Sequence, residues 1–333
     1  MKWFYRLKPL FLFGITITLI SPVFAYAAPN EESKNQVDIR NYRVIIVTYK
    51  SHEVLDAVVN STIKGLVEIG NMPRNNIEVF NPNGRLDEIQ SYIRGLNSRT
   101  TNLIISVSTP ASQAVLSSRH PNIPVLYSFV SDPAALKLND KANQKLNVTG
   151  ISNILDYKNG FSLLKNIIPN LKKIGVMYNP SESNSAFSFN QILSQAKNQK
   201  PRVEVIARQF SNPTEIQALA SALPVVQAIY VGGDNTLVQN IPLLISVMNN
   251  RRIPVFASDE GSVRNGAVAA YSIDYSAFGE KTAELALEVL RQGNADKIPS
   301  IKYIDGRCVI NTGALKKMGL STTSIGYKCV EIK

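Results

Sequence analysis

The chain has 333 residues, of which 44% are hydrophobic and 18% are charged, and its formal net charge is +11 at neutral pH. The positive excess is scattered in pairs such as Lys172 and Lys173, or Arg251 and Arg252. A basic tail that binds nucleic acid contains a block of five or six like charges. We therefore expect no nucleic-acid partner.

The first 27 residues have the pattern of a secretory signal peptide. Three cations and no acid precede an apolar stretch over residues 9–20, and small residues follow near position 25. The stretch is shorter than the roughly 20 apolar residues that span a bilayer. The pattern predicts cleavage after Ala25 or Ala27 and a location in the periplasm.

From residue 43 onwards, predicted strands alternate with predicted helices. The first series has strands at 43–49, 76–80, 103–110 and 124–133, and helices at 52–69, 86–96 and 111–118. The second series has strands at 174–178, 203–207, 228–231 and 253–257, and helices at 184–198, 214–223 and 236–249. Such alternation is typical of βαβ units around a parallel sheet. Because the series runs twice, we predict an α/β fold with two doubly wound lobes.

Three extended segments are predicted to connect the lobes, at residues 145–151, 266–274 and 298–311. The second of them leads into an amphipathic helix over 278–291. Three crossovers make a hinge, and hinged lobes close around a ligand. We therefore assign residues 38–148 plus 272–300 to an N-terminal lobe, and residues 149–271 plus 301–333 to a C-terminal lobe.

Catalytic and metal-binding patterns are missing from the sequence. It contains two histidines, His52 and His120, and no G-x-S-x-G, H-E-x-x-H, Walker or G-x-G-x-x-G motif. We expect no enzyme, no metal and no cofactor. The two cysteines, Cys308 and Cys329, favour a structural disulfide in an oxidising compartment, with two free thiols as the alternative.

Two predicted strands end in hydroxyl or carboxylate residues followed by proline. Ser108 and Thr109 precede Pro110, and Ser131 and Asp132 precede Pro133. In an open α/β sheet, ligands bind outside the carboxyl ends of the strands. We expect these two ends to be neighbours that form a cradle for a carboxylate. Ordinary helix caps are the alternative interpretation.

A set of short segments carries a resemblance to a known family. They lie at residues 52–56, 108–114, 130–133, 147–150, 175–185, 233–235, 254–259, 266–267 and 310–311. In this order, they resemble the substrate-binding proteins of ABC transporters that have the type I periplasmic-binding-protein fold. Within that group, the chain is similar to the family that includes tryptophan- and tyrosine-binding members. Glu53 replaces a frequent proline, and Leu146 a frequent glycine.

The resemblance implies a receptor that captures a small ligand between its lobes and delivers it to a membrane permease. For an amino acid, we predict a ligand-binding set of Tyr49, His52, Ser108, Thr109, Ser131, Asp132, Asn153, Ser183, Asn184, Ser185, Asp234 and Asp259. Asp234 or Asp259 would hold the ammonium group, and the strand-end tyrosines Tyr49, Tyr178 and Tyr271 would form the wall. We expect a monomer. A ligand sensor on the same fold, or a receptor for a sugar or nucleoside, is the alternative.

Overall fold

The computed structural model describes residues 38–138, 147–322, 325–326 and 328–332. Its strands are β1 (Val44–Thr48), β2 (Ile77–Phe80), β3 (Leu103–Val107), β4 (Val125–Ser128), β5 (Val148–Asn153), β6 (Lys173–Tyr178), β7 (Glu204–Gln209), β8 (Ala228–Val231), β9 (Val255–Ala257), β10 (Ala269–Ile273), β11 (Ile301–Tyr303), β12 (Gly306–Asn311) and β13 (Val330–Ile332). Its α-helices are α1 (Glu53–Glu68), α2 (Leu86–Arg94), α3 (Thr109–Ser118), α4 (Tyr157–Ile167), α5 (Ser183–Lys197), α6 (Ile216–Ser221), α7 (Asn235–Gln239), α8 (Ile241–Asn250), α9 (Glu260–Arg264), α10 (Tyr275–Gln292) and α11 (Thr312–Lys317). Within these ranges, no helix has both the length and the apolar character needed to cross a bilayer. The predicted signal peptide lies outside the described residues.

The strands form two sheets, each the centre of one lobe. The first sheet has the order β11-β5-β4-β3-β1-β2, with parallel pairing throughout. The second has the order β13-β12-β10-β9-β8-β6-β7, in which only the pairing of β10 with β12 is antiparallel. We call these parts the first lobe and the second lobe. The predicted α/β fold with two lobes is confirmed.

Strands of the second sheet are apolar on both faces. In β8, Ala228 and Tyr230 pack into one hydrophobic cluster, whereas Ile229 and Val231 pack into another. Successive side chains of a strand point to opposite faces, so helices must cover both sides of this sheet. This requirement explains why the sequence alternates strands with helices.

Helices α1 and α10 approach each other closely in the first lobe. A Cβ atom added at Gly65 would lie 2.5 Å from the Cβ of Ala283, and one added at Gly279 would lie 2.4 Å from the Cβ of Ser61. Both distances are shorter than side-chain packing allows. Glycine at these two positions therefore lets α10 pack against α1 after the chain returns from the second lobe.

The chain passes between the two sheets three times, as the three-segment hinge requires. It leaves the first sheet after β5, returns after β10, and leaves again between β11 and β12. Part of each predicted crossover is therefore a sheet strand. Strand β5 extends to Asn153 and β11 to Tyr303, and both belong to the first sheet. The chain therefore moves to the second sheet a few residues after the boundaries predicted at residues 148 and 300. The boundaries themselves stay a prediction.

Some elements differ from the sequence expectation. The helix predicted over 236–249 is divided into α7 and α8, because Pro242 has no N–H to continue the ladder. Helix α4 was not predicted at all. After Ser131, the chain forms a short 3-10 helix, Pro133–Leu136, which the Asp132 side chain does not cap.

A disulfide bond joins Cys308 in β12 to Cys329 near the end of the chain. Their Cα atoms are 4.6 Å apart, within the range that a disulfide needs. The bond holds the segment that carries β13 beside β12, at the edge of the second sheet. This is the pairing that the sequence analysis favoured.

Candidate ligand-binding site

A cavity lies where the carboxyl ends of the strands of both sheets face each other. It holds about 440 Å³ of space that no protein atom fills, including a part open to solvent. The lining residues are His52, Val54, Ser108, Thr109, Phe129, Ser131, Asn153, Leu155, Asn184, Gly233, Asp234, Asn235, Val238, Ser258, Asp259 and Tyr275.

Hydroxyl groups of the first lobe form one side of this cavity. Strands β3 and β4 are neighbours, as predicted, and the N–H of Ser131 donates to Oγ1 of Thr109 at 3.3 Å. The Ser108 side chain caps α3 by accepting from the N–H of Ala111 at 3.4 Å. Ser108 therefore both caps α3 and lines the cavity.

Two buried carboxylates form the opposite side. Asp234 caps α7 through Leu237 N–H at 2.7 Å, and its second oxygen accepts from Ser185 Oγ at 2.6 Å and Asn179 N–H at 2.7 Å. Asp259 caps α9, with Ser262 N–H at 2.6 Å and Ser262 Oγ at 2.7 Å as donors. Within the described parts of the chain, neither carboxylate forms an ion pair.

Burial controls the protonation of these groups. Removal from water raises the pKa of Asp234 to about 7, and the nearby carboxylate of Glu182 adds to the shift. Burial also raises the pKa of Asp259. In His52, burial lowers the pKa to about 4, so the ring is neutral at pH 7. The described lining includes no lysine or arginine that would pair with the two aspartates.

Two asparagine side chains present unused acceptors to the cavity. The Oδ1 atoms of Asn153 and Asn184 are buried and have no hydrogen-bond partner among the described residues. In Asn184, the Nδ2 atom donates to the carbonyl of Gly233 at 2.6 Å, which fixes the amide orientation. A buried polar atom without a partner is costly, and a ligand that donates a hydrogen bond would remove that cost.

An apolar wall completes the cavity. Phe129, Leu155 and Tyr275 belong to it, and Phe129 packs edge-on against Tyr275 with ring centroids 5.7 Å apart. The Tyr275 hydroxyl bonds with Ser272 Oγ at 2.9 Å. Because the hydroxyl is engaged there, this tyrosine contributes mainly hydrocarbon surface to the cavity.

Side chains of the two lobes contact each other around the cavity. These cross-lobe pairs are Lys50 Nζ with Thr236 Oγ1 at 2.6 Å, His52 Nε2 with Asn235 Oδ1 at 3.4 Å, Ser183 Oγ with Gln113 Oε1 at 3.2 Å, and Arg264 Nε with Glu53 Oε1 at 3.1 Å. The lobes are therefore in contact, and one of these pairs, His52 with Asn235, lines the cavity itself. Glu53, at the position where the family often has proline, takes part in one of these pairs.

Most of the predicted ligand-binding side chains meet at this cavity, although their roles stay predictions. Those that line it are His52, Ser108, Thr109, Ser131, Asn153, Asn184, Asp234 and Asp259. The other predicted residues, Tyr49, Asp132, Ser183 and Ser185, are not among the lining residues. Ser185 instead holds Asp234, and Ser183 contacts the other lobe. Tyr49 is buried beneath the Lys50 ammonium group, 5.1 Å from its ring centroid.

Sequence reasoning missed three important residues at this site. Phe129 and Tyr275 form the apolar wall, whereas the predicted wall residues Tyr178 and Tyr271 lie elsewhere. Glu182 is 3% exposed and binds the start of α7. The sequence offers one clue to Glu182, because it is an acidic residue in the segment 179–185, which follows the carboxyl end of β6.

Comparisons with known proteins show the family of this chain. A family profile described as ABC transporter substrate binding protein matches residues 43–325. A protein named tyrosine-binding protein, from Clostridioides difficile, is 33% identical over 300 residues, which are 89% of this chain and 86% of that protein.

Solved structures show the same fold. A Streptococcus pneumoniae ABC domain in complex with L-Trp gives a TM-score of 0.80 at 24% identity, covering 88% of this chain and all of that one. The ligand-free, open structure of a Clostridium difficile substrate-binding protein with adhesive properties gives 0.65 at 29% identity, covering 88% and 99%. The chain therefore belongs to the family of ABC transporter substrate-binding proteins.

Proposed function

We propose that this protein is the periplasmic receptor of an ABC importer and captures an amino acid with an aromatic side chain. The observation that carries the proposal is the charge distribution of the cavity. Asp234 and Asp259 are buried on one side without a cationic partner among the described residues. Hydroxyl groups of Ser108 and Thr109 lie on the other side.

An amino acid matches this distribution because it is a zwitterion. Its ammonium group would lie beside Asp259, whose two oxygens each accept one hydrogen bond from Ser262 and retain further acceptor capacity. Its carboxylate would face the hydroxyl groups at the start of α3. A neutral sugar or nucleoside brings no cation to either buried carboxyl group, and so cannot form a charge-assisted hydrogen bond of this kind.

The apolar wall supports an aromatic side chain. Phe129 and Tyr275 both line the cavity, and aromatic rings pack favourably against an aromatic ligand. The Clostridioides difficile relative is named a tyrosine-binding protein, and the Streptococcus pneumoniae structure holds L-Trp. These names support tyrosine or tryptophan as the first ligands to test.

Import and location complete the proposal. The predicted signal peptide supports export to the periplasm, where a monomeric receptor would deliver its ligand to the membrane permease of the transporter. Contacts between the lobes support a closing mechanism, in which the bound ligand is enclosed by both lobes.

A thermal-shift screen of the mature chain tests the ligand class. L-tyrosine, L-tryptophan, glucose and adenosine are compared at equal concentration. A ligand at 100 times its dissociation constant stabilises the folded state by about 2.7 kcal/mol. We expect the melting temperature to rise with L-tyrosine or L-tryptophan and to stay unchanged with glucose and adenosine. A shift with glucose or adenosine, and none with the amino acids, would overturn the proposed ligand class.

A further inference from the structure

Glu182 is a buried carboxylate that neither lines the cavity nor caps its own helix. It directly precedes α5, yet its side chain reaches the first residues of α7, more than fifty positions later in the chain. One oxygen accepts from Asn235 N–H at 3.0 Å and Asn235 Nδ2 at 2.9 Å. The other accepts from Thr236 N–H at 3.1 Å and from the Thr236 hydroxyl.

These bonds decide which atoms of the second lobe face the first lobe. Because Asn235 uses its Nδ2 atom on Glu182, its Oδ1 atom is turned towards His52. His52 Nδ1 accepts from the N–H of Leu55, so the proton of the neutral ring lies on Nε2, which donates to Asn235.

Glu182 sets the polarity of a second contact with the first lobe in the same way. We call the path from Glu182 through Asn235 to His52 the His52 arm, and the path from Glu182 through Thr236 to Lys50 the Lys50 arm. The Thr236 hydroxyl donates its single proton to Glu182, which leaves an oxygen lone pair for the Lys50 ammonium group at 2.6 Å. A carboxylate is required for both arms, because both of its oxygens accept. An amide at this position would present a donor to one of the arms and reverse its polarity.

Glu182 also lies beside a cavity residue. The Nδ2 atom of Asn184 is 3.5 Å from Glu182, and its Oδ1 atom is one of the two unpartnered acceptors in the cavity. One buried carboxylate thus contacts a residue that faces the ligand space and the two residues that contact the first lobe.

We propose that Glu182 is a positioning residue that couples ligand binding to closure of the lobes, by setting the hydrogen-bond polarity of Asn235 and Thr236. The inference rests on the proposed function, since closure is measured through a bound amino acid. Loss of the coupling would destabilise the closed form and speed ligand release.

A double-mutant cycle tests this coupling, with affinities for L-tyrosine and L-tryptophan measured by calorimetry and release measured by stopped flow. We expect Glu182→Gln to weaken binding about tenfold and Lys50→Met about fivefold. The dissociation rate should account for the loss, with the association rate within about threefold of wild type. Because Lys50 acts through Thr236 and Glu182, the double variant should remain near the tenfold loss rather than the product of the two effects.

Glu53→Gln is the matched control. It removes the negative charge from a different cross-lobe site, where Glu53 contacts Arg264 and Asn265, neither of which is a partner of Glu182. We expect its effect to multiply with that of Glu182→Gln. If Glu182 had a merely structural role, the loss of affinity from Glu182→Gln would multiply with that from Lys50→Met as well as with that from Glu53→Gln. That result would overturn the inference. Wild-type affinity in Glu182→Gln would also overturn it.

If Glu182→Gln does not fold, Thr236→Val carries the test because it cuts only the arm to Lys50. It should match the loss of Lys50→Met and abolish any further effect of that change, whereas Thr236→Ser should bind as wild type does. Wild-type binding by Thr236→Val would overturn the inference and leave the proposed function standing. Failure of the wild-type protein to bind either amino acid would instead overturn the proposed function, and the inference with it.

Discussion

Ser108 and Phe129 lie at the carboxyl ends of the neighbouring strands β3 and β4, and both have a positive φ, of 93° and 56°. Residues with a side chain rarely adopt this conformation, and the combination of φ 93° and ψ 157° at Ser108 is almost confined to glycine. Both residues line the cavity. Two residues with a strained backbone therefore lie at the proposed ligand site.

Ser108 variants separate strain from hydroxyl chemistry. Ser108→Gly should relieve strain of about 1–3 kcal/mol and raise the stability of the unliganded protein above that of Ser108→Ala, which keeps the strain and loses the cap. Both variants lack the hydroxyl group and should bind L-tyrosine or L-tryptophan more weakly than wild type. Urea unfolding and calorimetry measure the two effects, and equal stability of the two variants would contradict the strain argument.

Asp234 should make the unliganded protein less stable as the pH rises. Burial raises its pKa to about 7, from 3.8 in an unfolded chain, so the folded state holds a proton that the unfolded state has released. The resulting stabilisation is complete below pH 3.8 and is lost as the pH rises through 7.

The window from pH 6.5 to 8 isolates this effect. His52, whose pKa falls from 6.5 to about 4 on folding, changes stability mainly below that window. We expect the free energy of unfolding, measured with urea, to fall more steeply across the window in wild type than in Asp234→Asn. Equal slopes in the two proteins would contradict the prediction.

Asp259→Asn should weaken ligand binding more than it weakens the fold. Asparagine is a good N-cap and retains an oxygen for Ser262 N–H, so α9 keeps its cap. The negative charge for the ligand ammonium group is lost, and breaking a buried charge pair typically costs at least about 2 kcal/mol, or roughly 30-fold in affinity.

Calorimetry with the best amino acid from the thermal-shift screen measures this loss. Asp87→Asn, an equal change of charge on the exposed side of α2, serves as the control and should bind as wild type does. Unchanged affinity in Asp259→Asn would place the ammonium partner elsewhere.

Reduction of the disulfide should lower stability without changing the site. Cys308 and Cys329 are 21 positions apart, and closing a loop of this size contributes about 3 kcal/mol through the unfolded state. Neither cysteine lines the cavity. We expect a lower melting temperature and unchanged amino-acid affinity for Cys308→Ser combined with Cys329→Ser. A large loss of affinity would contradict this separation.

Much of the fold, and polar residues on both sides of the site, could be predicted from the sequence. Ser108 and Ser131 each follow an apolar strand and precede a proline, and parallel strands bring such ends to one edge of a sheet. The same reasoning predicts Asp234 and Asp259. These are local patterns, which a sequence displays directly.

The other features depend on contacts between distant segments. Glu182 has the appearance of an ordinary acid at a helix start, and its role arises from α7, more than fifty residues later. Nothing in the identity of Phe129 indicates a positive φ. Tyr275 reaches the cavity because α10 begins at that residue, before the predicted start at residue 278.

The three passages of the chain between the sheets have a consequence for the order of folding. Helix α10 completes the core of the first lobe by covering α1, and β12 completes the second sheet, yet both come from the C-terminal part of the chain. Neither lobe is a continuous stretch, so neither can bury its apolar surface while that part is still being synthesised. A nascent chain that ends before Tyr275 would leave the face of α1 that carries Gly65 without its partner.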